Sequence, residues 1–274
     1  MRGTVDWLKV ILLGIIEGIT EFLPISSTGH LLIAADILKF QGELSGTFEI
    51  VIQLGAVLAV LGYYARDLLA QARAVPRDPA ARRFWLAIVL AFIPAAIVGV
   101  LLRDWIKTVL FASPTVIAWS FIIGGIILIV VERIPRPAPT TTEVTAISFR
   151  QALGIGVAQV CALVPGVSRS GASIVGGLIG GLDRRTATAF SFYLAIPTLG
   201  SATLLDLVTS LDQLSGSSLG YLFVGSVVAF VVALLALGWL LRYVANHSLV
   251  AFGVYRILAG LAVFGLIWTG VIAP

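Results

Sequence analysis

Long apolar runs, interrupted twice by short polar segments, organise this chain. Six stretches approach the roughly 20 apolar residues that a transmembrane helix needs. They lie at about 48–65, 84–102, 114–131, 186–206, 219–241 and 248–272. Two other apolar regions fall short. One runs 7–23, breaks at Pro24 and resumes at 29–39; the other runs 150–164, breaks at Pro165-Gly166 and resumes at 171–182. The breaks are polar: Ser26-Ser27-Thr28-Gly29-His30 and Ser168-Arg169-Ser170-Gly171. Paired half-helices around a polar break predict re-entrant hairpins, because irregular backbone at membrane depth survives only where protein buries it or it lines a cavity. The pattern therefore predicts an all-α integral membrane protein with six transmembrane helices and two re-entrant helix hairpins.

Composition agrees. The 274 residues are 59% hydrophobic and 12% charged, against about 45–50% and about 25% for a soluble domain. A soluble enzyme, a disordered chain and a nucleic-acid module are excluded. The apolar runs do not alternate, which favours helices over a barrel. The net charge of +4 reflects basic loops rather than a nucleic-acid partner. Cys161 is the single cysteine, so no intrachain disulfide forms. Trp7 to Ile16 resembles a signal h-region in length, but Glu17 and Glu21 follow and no small-residue cleavage site does, so the segment is expected to be retained.

Loop charge orients the spans. Loop 66–83 carries Arg66, Arg73, Arg77, Arg82 and Arg83; loop 132–150 carries Arg133, Arg136 and Arg150; Arg184, Arg185 and Arg242 mark two more. The alternate loops are poorer: 40–47 and 207–218 hold Glu43 and Asp212 but no cation, and 103–113 holds Arg103 and Lys107. The basic set should be cytoplasmic, with Arg2, Lys9 and Lys39 as misfits. Hairpin one then enters from outside and hairpin two from the cytoplasm. Each precedes three spans, an odd number, so the halves have opposite orientation: an inverted-topology repeat. Residues 1–131 form the first half (hairpin 7–39 plus three spans), 132–149 a Pro-rich cytoplasmic linker, and 150–274 the second half (hairpin 150–182 plus three spans) in one functional membrane domain.

Ionisable groups at membrane depth are functional by default, and Glu17, Glu21, His30 and Arg169 all lie beside the breaks. Glu17 and Glu21 are four apart, so their carboxylates share a helix face. A divalent metal or Arg169 between them would relieve their repulsion. The second half-helices begin near Ser27 and Ser170, with free N–H groups and positive dipole ends suited to phosphate. Hydroxyls of Ser26, Ser27, Thr28, Ser168, Ser170 and Ser173 add donors, and Arg169 adds a planar fork. A lipid diphosphate fits: tail in the bilayer, head in the pocket. Read singly, the hydroxyls are helix caps, His30 is an interhelical donor, and a Glu17–Arg169 pair is structural glue; their joint occurrence at two matched breaks favours function. Arg256, in the last span, is read as tying helices together or supporting the pocket from behind. Gln53 and Gln159 read equally as polar lining or interhelical bonds.

These residues carry a resemblance. The run from Glu17 to His30, EGITEFLPISSTGH, resembles the first motif of the undecaprenyl-diphosphate phosphatases, the bacitracin-resistance family, and Pro165 to Ser173, PGVSRSGAS, resembles the second. Phe48 to Ala56 and Tyr255-Arg256-Ile257 are also family-like, so the likeness covers essentially the whole chain. Where the second motif commonly ends in Thr, Ser173 keeps the hydroxyl. The resemblance implies hydrolysis of undecaprenyl diphosphate to the monophosphate and phosphate. It also implies recycling of the lipid carrier for cell-wall synthesis, competition with bacitracin and dependence on a divalent cation such as magnesium or calcium. It places the site toward the periplasmic side of the bacterial inner membrane.

The expected mechanism makes Ser27 the nucleophile, Glu21 or His30 the acceptor of its proton, Glu17 and Glu21 the metal ligands, and Arg169 with Ser168 and Ser170 the stabilisers of the phosphoryl oxygens. Rival schemes use His30 or a metal-bound water as nucleophile. The alternative function is a transporter or flippase of a lipid phosphate or another anionic solute, since inverted repeats with midplane half-helices are typical of transporters. Small-residue faces at Gly176-Gly177 and Gly180-Gly181 would suit a homodimer.

Overall fold

A computed structural model of the chain describes residues 7–40, 43–110, 113–210 and 219–273. Hairpin one pairs α1 (Trp7–Thr20) with α2 (Ser27–Ile37). Next come α3 (Glu43–Tyr63), α4 (Ala65–Ala74), α5 (Pro79–Leu101), the single turn α6 (Arg103–Trp105), a π-helical turn at Ile106–Leu110, and α7 (Pro114–Arg133). Hairpin two pairs α8 (Phe149–Val160) with α9 (Arg169–Ile179), and α10 (Arg184–Ser210), α11 (Leu219–Asn246) and α12 (Val250–Trp268) complete the chain. Among the described residues there is no β-strand, only a bridge between Thr141 and Leu182.

Local chemistry sets several helix starts. Asp78 caps α5 through Ala80 N, with Pro79 in the first turn, and Ser148 and Gln151 form a capping box on α8. Among the described residues five helices are long and apolar enough to cross a membrane, and six if the pair Val51–Tyr63 and Ala65–Ala74, bent by 66°, counts as one span. The five match apolar stretches of the sequence, the remaining stretch falls on α3, and the protein is a multi-pass membrane protein. α4, which the sequence reads as loop, is helical. The hairpin helices hold 14 and 11 residues in the first pair and 12 and 11 in the second. At about 1.5 Å per residue each is about 17–21 Å long, short of the roughly 30 Å hydrocarbon core.

The packing crosses between halves. α1 lies along α11 and α8 along α5; α7 pairs with α12 and α3 with α10. Exchanging α1 with α8, α3 with α10, α5 with α11 and α7 with α12 returns these four pairs, an arrangement compatible with a pseudo-two-fold repeat. Small residues permit the crossing. A Cβ on Gly18 would lie 2.8 Å from Ala229 O of α11, and one on Gly156 of α8 would collide with Ala91 O of α5. Gly176 and Gly177, expected at a homodimer face, are occupied within the chain instead: their Cβ positions meet Ala158 at 2.7 Å and Ala187 at 2.8 Å.

The basic loops share one face. Glu132, at the end of α7, takes two bonds from Arg184 Nε and Nη2 (2.8 and 2.6 Å) and one from Leu249 N (3.1 Å). Arg83 stands 5.8 Å over the Phe149 ring. All four basic segments thus meet, as the charge pattern predicts. Arg2 and Asp212, which entered that pattern, lie outside the described residues.

Candidate active site

The two breaks converge on a pocket of about 120 Å³. Glu21, Ser26, Ser27, Thr28, Gln53, Ser168 and Arg169 supply its polar wall, and Ala162, Val164, Pro165, Gly166 and Leu199 the rest. α2 and α9 both start here, so two positive helix ends face one space, as the sequence predicts.

Ser27 Oγ donates to Glu21 Oε2. Arg169 Nη2 donates to the other oxygen of the same carboxylate at 3.3 Å, and its Nη1 to Ser191 O at 2.9 Å. Phe22 underlies the guanidinium, its ring centroid 5.9 Å away. Glu21 therefore holds a serine proton on one side and a cation on the other.

The helix starts differ in chemistry. Ser168 Oγ accepts from Gly171 N at 3.0 Å and caps α9. It also contacts Ser170 Oγ at 3.0 Å, and Ser170 donates to Leu23 O at 2.9 Å. A carbonyl only accepts, so the proton order is fixed: Ser168 donates to Ser170, and Ser170 to Leu23. This chain ties break two to break one and leaves Ser168 no spare proton. At α2, Ser26 makes no side-chain cap. The uncapped first turn of α2, with the hydroxyls of Ser26, Ser27 and Thr28, is the donor-rich wall.

Four expected residues do not reach the wall. Ser170 is committed to Leu23 O, and Ser173 Oγ bonds Arg169 O (2.7 Å) and Ser191 Oγ (2.8 Å). Consecutive helical residues turn by about 100°, so the serines of one turn cannot all face one pocket. His30 points the other way: Nδ1 lies 2.7 Å from Ser26 O, and Nε2 lies 2.7 Å from Tyr255 Oη. Its ring lines an apolar groove of about 1030 Å³ that shares no wall residue with the polar pocket. Glu17 sits behind Glu21, joined by the helical bond from Glu21 N to Glu17 O (2.9 Å). It is 0% exposed, and neither carboxylate oxygen has a hydrogen-bond partner.

Ser191 is the residue that sequence reasoning passes over. Its carbonyl holds Arg169 and its hydroxyl holds Ser173, yet it lies unmarked inside an apolar span; a hydroxyl between Phe190 and Phe192 is the only signal. Gln53 resolves as pocket lining. Gln159 is buried without a partner beside an apolar cavity of about 480 Å³ between α5, α8 and α10. That cavity shares Ala162, Arg169 and Leu199 with the polar pocket.

Comparison with known proteins returns one family model, described as bacitracin resistance protein BacA, over residues 10–262. An undecaprenyl-diphosphatase of Deinococcus radiodurans is 49% identical over 270 residues, covering 97% of each chain. That of Cereibacter sphaeroides is 51% identical over 253 residues, 92% of this chain and 94% of the relative. That of Methylococcus capsulatus is 47% identical over 271 residues, 97% and 98%.

Proposed function

This chain belongs to the bacitracin resistance protein BacA family, and from that premise we propose that its pocket hydrolyses undecaprenyl diphosphate to undecaprenyl phosphate and inorganic phosphate. The observation that carries the proposal is Glu21 between Ser27 and Arg169 on the wall of one buried pocket. Ser27 Oγ attacks the terminal phosphorus and Glu21 takes its proton. The bond to the bridging oxygen breaks, and undecaprenyl phosphate leaves. Glu21 passes that proton to the departing phosphate and, as a carboxylate again, takes one from the water that hydrolyses the phosphoserine, while Ser27 Oγ recovers its proton and inorganic phosphate leaves. Arg169 and the N–H groups of the uncapped α2 turn stabilise the phosphoryl oxygens. Glu21 is the better proton acceptor for Ser27 than His30, whose ring nitrogens engage Ser26 O and Tyr255.

A buried carboxylate without partners, one turn from a second carboxylate, fits a divalent cation. Glu21, on the pocket wall, and Glu17, directly behind it, would hold magnesium or calcium. When bound, the ion supplies positive charge to the phosphoryl oxygens.

The first isoprene units of the prenyl chain occupy the apolar cavity of about 480 Å³, which shares Ala162, Arg169 and Leu199 with the pocket. The host membrane is the bacterial plasma membrane. With the basic loops gathered on its cytoplasmic face, hairpin one enters from the periplasmic side. The product returns to cell-wall synthesis, and removal of the diphosphate counters bacitracin. Phosphate release from undecaprenyl diphosphate by detergent-solubilised protein tests the whole reading. Release that stops on chelation supports it. No release in detergent would leave the transporter, which needs a sealed membrane.

A further inference from the structure

Arg256 stands outside the pocket wall, yet among the described residues it is the largest fully buried side chain, at 1% exposure. All five of its N–H donors are used, and every acceptor is a backbone carbonyl. Nη1 bonds Pro24 O (3.2 Å) and Val167 O (2.8 Å); Nη2 bonds Gly166 O and Ser120 O (both 2.8 Å); Nε bonds Phe121 O (3.4 Å). Pro24 O belongs to break one, and Gly166 O and Val167 O belong to break two. Ser120 and Phe121 are on α7. The guanidinium thus joins both irregular segments to one rigid helix. It satisfies the carbonyls of Pro24, Gly166 and Val167, which lie outside any helix, and anchors them to two carbonyls within α7.

Gly124 makes the slot. A Cβ there would lie 2.6 Å from Arg256 Cζ and would collide with Nη2. Ser27 follows Pro24 by three residues, and Arg169 follows Val167 by two. Among the described residues, the side-chain link between Ser27 and Arg169 passes through Glu21, which must let go of each during turnover. Besides the single bond from Ser170 to Leu23 O, Arg256 provides the links between the breaks that do not change during the reaction.

We propose that Arg256 is a positioning residue for the hydrolysis, setting the distance between Ser27 and Arg169 by holding the backbone of both breaks at once. This rests on the function argued above. A shift of about 1 Å between reacting groups costs roughly 100-fold in rate. Arg256→Lys keeps the charge but cannot span five carbonyls, so its kcat falls by about 100-fold, as does that of Arg256→Ala. KM changes much less than kcat, because the Arg256 side chain itself does not line the pocket. Millimolar guanidinium restores part of the kcat of Arg256→Ala. Gly124→Ala, which keeps the arginine and displaces its head, loses kcat as well and gains nothing from guanidinium.

The measurement is phosphate release per folded molecule, with folding checked by circular dichroism and melting temperature. Wild-type kcat in Arg256→Lys would show that charge alone suffices and overturn the proposal. So would a folded Arg256→Ala with lowered melting temperature and normal kcat. If neither Arg256→Ala nor Gly124→Ala folds, the residue serves assembly and the proposal falls. Wild-type protein that releases no phosphate would instead sink the functional reading, and this proposal with it.

Discussion

Ser26 and Ser168 hold the same unusual backbone conformation at matched points of the two hairpins, with φ of 72° and 77°. The match continues along each half-helix at one constant offset. Bonds from His30 N to Ser26 O, Leu38 N to Ala34 O and Phe40 N to Ala35 O recur as Ala172 N to Ser168 O, Gly180 N to Gly176 O and Leu182 N to Gly177 O. Lys39 and Gly181, at the helix ends, both have positive φ. One backbone is thus used twice with different chemistry: Ser168 spends its hydroxyl on its own helix, and Ser26 keeps its hydroxyl for the pocket.

Substituting these serines should separate strain from function. Positive φ in a residue with a side chain costs about 1 kcal/mol or more. Ser26→Gly removes that cost and breaks no side-chain cap, so its melting temperature rises while phosphate release falls. Ser168→Gly removes the same strain but also the cap on Gly171 N and the bond to Ser170. A lost cap costs about 1 kcal/mol, so its melting temperature stays level or drops. Thermal melts of both proteins check the contrast.

Ser27→Ala should lower kcat by about 1000-fold or more, as loss of a nucleophile does. Acid-quenched wild-type protein should carry one added phosphoryl group by intact mass, and Ser27→Ala none. His30→Ala, which loses the contact to Tyr255 but no pocket wall, should stay within about tenfold of wild type. A larger loss at His30 than at Ser27 would reverse their roles.

Chelation should abolish phosphate release, and magnesium or calcium should restore it. Glu17→Gln keeps the shape and removes the charge from the unpartnered carboxylate. The metal concentration for half-maximal rate should then rise about tenfold or more. A metal titration of the two proteins side by side decides this, and an unchanged midpoint would exclude Glu17 as a ligand.

The crossed packing predicts position-dependent glycine effects. Gly18→Ala meets Val232 Cβ at 2.7 Å and Ala229 O at 2.8 Å, an overpacking worth about 1–3 kcal/mol. Gly55→Ala runs into Ser226 O between α3 and α11 and should lose a similar amount. Gly265→Ala meets nothing within 4 Å and should stay within about 0.5 kcal/mol. Melting temperatures in one detergent measure all three.

The long spans and the two pairs of short helices were legible because each is an apolar run bounded by polar breaks or charged loops. α4 was not: Ala65 to Ala74 is short, and Arg66 and Arg73 make it read as loop. At the site, the clustering of Glu21, Ser27 and Arg169 followed from scarcity of charge inside the membrane. The aim of each hydroxyl did not follow, since Ser168 and Ser170 have the same chemistry and differ only in helical phase. Ser191 was hidden for a related reason. It acts on Arg169 mainly through its carbonyl, and every residue has one.

The pairing of α1 with α11 has a consequence for biogenesis. The glycine face of α1, at Gly14 and Gly18, emerges from the ribosome early, and the helix that covers it is nearly the last to be made. Until α11 enters the bilayer, that glycine face lacks its packing partner. α8, by contrast, meets α5 already in place. The first half of this protein must therefore wait, and the second half completes it.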